Sequence, residues 1–290
     1  MLYSMTGYGK STFTLGGRNY VVEIKTLNSK SCDLNFKAVA DLRGKEIEIR
    51  KQIAAQLIRG KIDVFFQEDK NSGVTSGLNL TLLENYYKQL QQFSQEKNIP
   101  LGDIVPAILR FQDIAKAEFS ELSDADFLAL QDAINKASIK VIQFRKDEGL
   151  QLETDILNRI VLIQQYKNAL IPHEQQRIER IKEKLHQDLI ALSEKVTLDK
   201  NRFEEELIYY LEKIDINEEK VRLESHCSYF LEIVQENGIE KGKKLGFVAQ
   251  EIGREINTIG SKANDAAIQK IVVQMKDELE KIKEQLMNIL

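Results

Sequence analysis

Residues Asn19 to Phe36 read NYVVEIKTLNSKSCDLNF; in them Val21, Glu23 and Lys25 alternate with Val22, Ile24 and Thr26, and Leu34 and Phe36 flank Asn35. A period of two marks strands with one wet face. The pattern then changes. In Ile47 to Ile58 (IEIRKQIAAQLI) the residues Ile47, Ile53, Leu57 and Ile58 fall at helical spacing, and Gly60 stands where a helix end favours a left-handed residue. Ile62 to Gln67 (IDVFFQ) reads as a further strand. The opening segment is therefore a small α+β unit.

Beyond the turn-rich stretch Asn71 to Gly77, the chain becomes helical. Leu83 to Gln95 and Phe127 to Phe144 place apolar residues three and four apart, and Leu152, Ile156, Ile160 and Ile163 continue the stripe. After Pro172 it resumes as Ile178, Ile181, Leu185 and Leu189. Such charge-rich runs predict a projecting helical hairpin or coiled-coil arm whose limbs are kinked or separated at Pro172. The expected fold class is α+β, with an N-terminal domain over 1–155 (strands, then helices), a helical arm over 156–204 and an all-α C-terminal domain over 205–290.

The composition agrees. Of 290 residues, 42% are hydrophobic and 30% charged, a globular balance, and only 3 are proline, so few positions stop a helix. Two cysteines, Cys32 and Cys227, are too few for a disulfide framework. No apolar run is long enough for a membrane span and the start has no signal-peptide pattern, so the expected setting is the cytoplasm. A net charge of −4 makes the whole chain a poor bait for polyanions, and any nucleic-acid site has to be a local basic patch.

Gly9-Lys10-Ser11 copies the end of a phosphate-binding loop, but the glycine that motif needs five residues earlier is Ser4. The motif is set aside. His173 and His186 lie in the charged arm and read as solvated polar positions. His226 differs because Asp215, Glu219, Arg222 and His226 are four, three and four residues apart, one stripe of a helix. Two carboxylates and an imidazole on a stripe suit a divalent metal, and Arg222 suits phosphate. A plain exposed helix with internal ion pairs is the commoner explanation of such spacing.

A second stripe runs through Phe247 to Lys262 (FVAQEIGREINTIGSK). Glu251 and Glu255 are four apart, Arg254 stands beside them, and Asn257, Thr258, Ser261 and Lys262 follow. The apolar residues Phe247, Val248, Ile252, Ile256 and Ile259 read as the buried face. Between residues 202 and 226 four bases face eight acids, giving −4; between 241 and 262 five bases face two acids, giving +3. The glycine-rich link Asn237 to Gly246 is expected to return the chain antiparallel and bring the stripes together.

The strings KIDINEEKVRLESH (Lys213 to His226), GKKLGFVAQEIGREINTIGSK (Gly242 to Lys262) and ELEKIKEQLMNI (Glu278 to Ile289) resemble the YicC/YloC family of bacterial proteins. So do SMTGYGK at Ser4, EIKTLNSK at Glu23, RGKIDV at Arg59 and RKDEGLQLETDI at Arg145, so that the likeness spans essentially the whole chain. It implies a cytoplasmic, divalent-metal-dependent endoribonuclease of RNA turnover, with Mn2+ or Mg2+ as cofactor, assembled as a homo-oligomer and expected as a hexamer. Gly246 and Gly253 depart from the family's usual aspartate and asparagine.

On this reading His226, Glu219, Glu251 and Glu255 are the expected metal ligands, and His226, Glu251, Glu255 and Arg254 the expected catalytic group. Lys61, Arg222, Lys243, Lys244, Arg254, Asn257, Ser261 and Lys262 are expected to hold RNA. The alternative function is a non-catalytic RNA-binding adaptor that presents transcripts to another nuclease. A coiled-coil scaffold resting on the arm is a third reading.

Overall fold

The computed structural model describes residues 1–15, 18–38, 45–69, 79–111, 124–193 and 200–290; the turn expected over 71–77 lies outside them. The chain divides into two compact units. One holds Tyr8–Thr26 and Lys30–Ile142, the other Met1–Gly7, Leu27–Ser29 and Gln143–Leu290. The fold class is α+β, as the period change predicts.

The first unit carries a sheet of four strands in the order β1 (Gly7–Leu15), β2 (Arg18–Leu27), β4 (Gly60–Glu68), β3 (Cys32–Ala38). Strands β3 and β4 run parallel, with Cys32 opposite Gly60 and Ala38 opposite Phe66, and α1 (Glu46–Leu57) is their crossover. The alternation is real: Val22, Ile24, Ile62 and Val64 are wholly buried with Ile49, Ile53 and Leu57 of α1, while Glu23 and Lys25 lie outside the core. Ile47, expected on the same helical face, is 67% exposed.

Three local expectations need correction. Gly60 does not close α1: Ile58 takes the positive φ of 59° at that helix end, and Gly60, at φ 127°, opens β4 two residues later. Gly9, Lys10 and Ser11 lie within β1, a strand the period did not reveal. Gly9 is needed there because a Cβ would stand 2.1 Å from the carbonyl oxygen of Ala137, so β1 meets its covering helix backbone to backbone. Pro172 separates nothing, for α4 runs unbroken from Asp124 to Ser193. A mid-helix proline costs roughly 3 kcal/mol; the burial of Leu170 on one side and Arg177 on the other opposes that cost.

The second unit is helical: the rest of α4, α5 (Lys200–Ile214), α6 (Asn217–Gln235), α7 (Gly242–Ala263) and α8 (Ala266–Leu286). Ile156, Ile160, Ile163 and Leu170 are wholly buried in one core with Phe230, Ile252, Ile256, Met275 and Ile282. The first part of the stretch read as an arm is thus core, and exposure prevails only from Ile171 on. Each of these large side chains contributes about 1.5–3 kcal/mol by leaving water. Ion pairs lock the helices: Lys220 to Glu174 at 2.5 Å and Lys167 to Glu224 at 2.6 Å tie α6 to α4, and Arg159 to Glu278 at 2.8 Å ties α8 to α4.

Both ends of the chain are stitched onto the start of α7. The main-chain oxygen of Leu290 accepts from the N–H groups of Lys241 and Gly242, both at 2.7 Å, and Leu290 donates to Tyr3. Ser4 and Ile289 form an antiparallel bridge, and the amino group of Met1 donates to Val234 at the end of α6. Gly242 permits this closure, since a Cβ would lie 2.3 Å from the oxygen of Ile289.

Candidate active site

Helix α6 starts at Asn217, so Asp215 lies ahead of it. Its Oδ1 accepts from the backbone N–H of Asn217 at 2.9 Å, a turn in which the short carboxylate competes with helix hydrogen bonding. The expected stripe thus loses its first member. Glu219 opens instead the buried line Glu219, Leu223, Cys227, Phe230 and Val234, while Arg222 is exposed and paired with Glu218 one turn back, at 2.5 Å.

Helices α6 and α7 pack antiparallel, as the glycine-rich link predicts. Near one end Glu219 Oε1 accepts from Lys262 Nζ at 2.7 Å; near the other, Lys241 Nζ donates to the oxygen of Val234 at 2.7 Å. Seven residues return a helix to nearly the same face two turns on. Counting seven from Glu219 along α6 reaches His226, and seven back from Lys262 along α7 reaches Glu255. Counted from the Glu219–Lys262 pair, His226 of α6 and Glu255 of α7 fall along the same seam, with no hydrogen bond between them.

Glu255 is 6% exposed, on the side of α7 that carries Ile252, Ile256 and Ile259, and forms no hydrogen bond or ion pair among the described residues. Its carboxylate oxygens still reach solvent, so the acid is open to an arriving ligand. Glu219 is 5% exposed and half satisfied: Oε1 is held by Lys262 and Oε2 is buried without a partner. Glu251, one turn from Glu255, faces solvent.

Among the described residues no three His, Cys, Asp or Glu side chains gather around one point, so the four expected ligands do not form a closed cage. Glu255, without a partner among the described residues and open to solvent, suits a hydrated Mg2+ or Mn2+, which takes one or two carboxylates and completes its shell with water and substrate phosphate; Glu219 is already held by Lys262.

The expected RNA contacts fall into three settings. Lys243, Arg254, Asn257 and Ser261 are exposed on α7, and among the described residues neither Lys243 nor Arg254 has an ion-pair partner. Lys244 is bound to Glu236 at 2.7 Å, which raises its ammonium pKa, and lies over the Tyr229 ring; Lys262 is engaged with Glu219. Lys61 is exposed on β4 in the other unit.

Reading α7 as a polar stripe missed Phe247. Counted there as core because it is apolar, it is 58% exposed. The usable signal was its position: Phe247 is four residues from Lys243 and seven from Arg254, which puts it on the wet face, whereas Val248 and Ile252 lie on the buried one. The buried Arg177 was missed as well. Its guanidinium donates to the oxygens of Ile214, Ala263 and Lys262 at 2.9, 2.7 and 3.3 Å, closing the C-terminal ends of α5 and α7. Cys227, beside His226 in sequence, is no nucleophile: burial, then the nearby Glu224, pushes its thiol pKa up to about 12.

The arrangement is that of an α+β protein whose paired C-terminal helices set a partly unsatisfied acidic seam beside exposed cations that have no ion-pair partner among the described residues. The chain belongs to the family of YicC-like endoribonucleases: residues 2–154 match "Endoribonuclease YicC-like, N-terminal region" and residues 171–290 match "Endoribonuclease YicC-like, C-terminal". It is 33% identical over 296 residues to the probable endoribonuclease YicC of Clostridioides difficile strain 630, covering 100% of both chains. It is 28% identical over 294 residues to the probable endoribonuclease YicC of Haemophilus influenzae, again with 100% of both covered. No helix among the described residues is long and apolar enough to cross a membrane.

Proposed function

We propose that the chain is an endoribonuclease of cytoplasmic RNA turnover that cleaves phosphodiester bonds at the seam of α6 and α7. The observation that carries this reading is Glu255: 6% exposed, without a hydrogen bond or ion pair among the described residues, and on the face of α7 that packs along the seam with α6. In this role Glu255 accepts the proton of the attacking hydroxyl, and His226 holds or returns a proton on the opposite side of the seam. Arg254, exposed beside Glu255 and without an ion-pair partner among the described residues, meets the charge that grows on the phosphoryl oxygens. The pair of Lys262 and Glu219 closes the far end of the seam and keeps a cation two turns from Glu255.

A divalent ion, Mn2+ or Mg2+, would be held through Glu255 with water and substrate phosphate completing its shell, and would supply a Lewis acid for the phosphoryl oxygen; in that case Glu255 would act as ligand and His226 would carry the proton transfer. Lys243 steers the strand along α7. Because one chain carries a net charge of −4, the proposal includes a homo-oligomer, a hexamer, in which the cations of several copies converge.

The test is cleavage of single-stranded RNA by purified full-length chain, with Mn2+ and with EDTA, beside Glu255→Gln. Cleavage that stops with EDTA and falls on the order of 100-fold or more in the variant supports the site. Equal rates in the variant and the wild type sink it, and binding without any cleavage by the wild-type chain makes the protein an adaptor.

A further inference from the structure

The wet face of α7 is a continuous line of Lys243, Phe247, Gln250, Arg254, Asn257 and Ser261, since steps of three and four keep these residues within one helical stripe. At 1.5 Å per residue the line is about 27 Å long. Two features separate it from an ordinary solvated face. Its two cations have no ion-pair partner among the described residues, whereas most cations on the helices around it are paired. Between them stands Phe247, 58% exposed, with no ring and no cation over it among the described residues.

The surrounding chemistry argues for the occupant. Phe247 has Lys243 one turn before it and Gln250 nearly one turn after it, and Arg254 follows two turns along. An apolar protein partner calls for a wider apolar surround. A flat ring between cations and amides matches a polymer that alternates anionic phosphate with an aromatic base, which is how single-stranded nucleic acid is held without reading its sequence. We infer that Phe247 is a stacking residue for one base of single-stranded RNA, with Lys243 and Arg254 holding the flanking phosphates. The inference rests on the proposed ribonuclease reading and adds the form of the substrate: an unpaired strand lying along α7 with one base turned onto Phe247.

The chain contains no tryptophan, so Phe247→Trp installs a single indole reporter at an exposed position. Titration of the full-length variant with oligoadenylate should quench the indole, and titration with inorganic polyphosphate, which has charge but no bases, should not. By fluorescence anisotropy with labelled oligoadenylate, Phe247→Leu should bind at least about 5-fold more weakly with the salt dependence unchanged. The inference is overturned if oligoadenylate binds as tightly to Phe247→Leu as to wild type, or if indole emission responds equally to polyphosphate. It is also overturned if emission changes only with protein concentration, which makes a second copy of the chain the occupant. Failure of the wild-type chain to bind any RNA defeats the ribonuclease reading too; normal binding and cleavage by Phe247→Leu defeats this inference alone.

Discussion

The seam where α4 meets α6 and α8 and the seam between α6 and α7 are built from the same residue types, yet they differ in how those residues are satisfied. On α4, Glu174 holds Lys220, Lys167 holds Glu224 and Arg159 holds Glu278, each at 2.8 Å or less, and Arg177 feeds three carbonyl oxygens. Between α6 and α7, among the described residues, Glu255 and one oxygen of Glu219 have no partner, and Arg254 and Lys243 have no ion pair on the adjoining face. Groups that have found partners fix the fold, and groups still without them are available to something that arrives from outside. A tally of charges, −4 and +3, does not separate the two seams in this way.

The largest effect expected on the unsatisfied side comes from His226→Asn. RNA cleavage should fall on the order of 100-fold or more while the thermal midpoint moves by no more than about 2 °C. An unchanged rate would place that seam with the structural ones. On the satisfied side Arg177→Met should leave three buried carbonyls without a donor and cost about 3 kcal/mol in urea unfolding. A loss well under about 1 kcal/mol would show that water replaces the guanidinium and that the contrast is overdrawn.

A smaller effect is expected at Arg254. Arg254→Gln should weaken RNA binding several-fold and reduce the slope of log affinity against log salt by about 1, without lowering stability. If the slope is unchanged, Arg254 does not touch phosphate.

The smallest effect tests the satisfied side by pH. Burial draws the Asp265 carboxyl pKa upward, but the N–H groups of Ile268 and Ala267 and the guanidinium of Arg180 outweigh it and hold the pKa below the usual carboxylate range. Its folded pKa being depressed, the stability it contributes is present above about pH 4 and is lost as pH falls through the folded value. Asp265→Ala should therefore cost about 1 kcal/mol at pH 7 and progressively less toward pH 2. A pH-independent deficit would assign the effect to packing.

How much of this was legible in the sequence follows the same division. Periodicity located α1, β4 and α7 because each has one buried face, and a buried face writes its spacing into the chain. It missed β1, where Gly9 packs through its lack of a side chain and leaves no apolar mark. It broke α4 at Pro172, because a local cost is visible in the text whereas the burial of Leu170 and Arg177 against residues far along the chain is not. At the candidate site the spacing brought His226 and Glu255 to adjoining stripes. It could not reveal that Glu219 and Lys262, assigned to metal and to RNA, hold each other, nor that Phe247 faces outward. Which of two polar groups is already taken is a property of the third dimension.

The stitching of residues 1–5 and 288–290 onto the start of α7 has a consequence for folding. A contact that spans nearly the whole chain, that of Leu290 with Tyr3, is the slowest kind to form. The first turn of α7, whose N–H groups at Lys241 and Gly242 are held by the oxygen of Leu290, is therefore expected to become fixed late, after the helices around it have already packed.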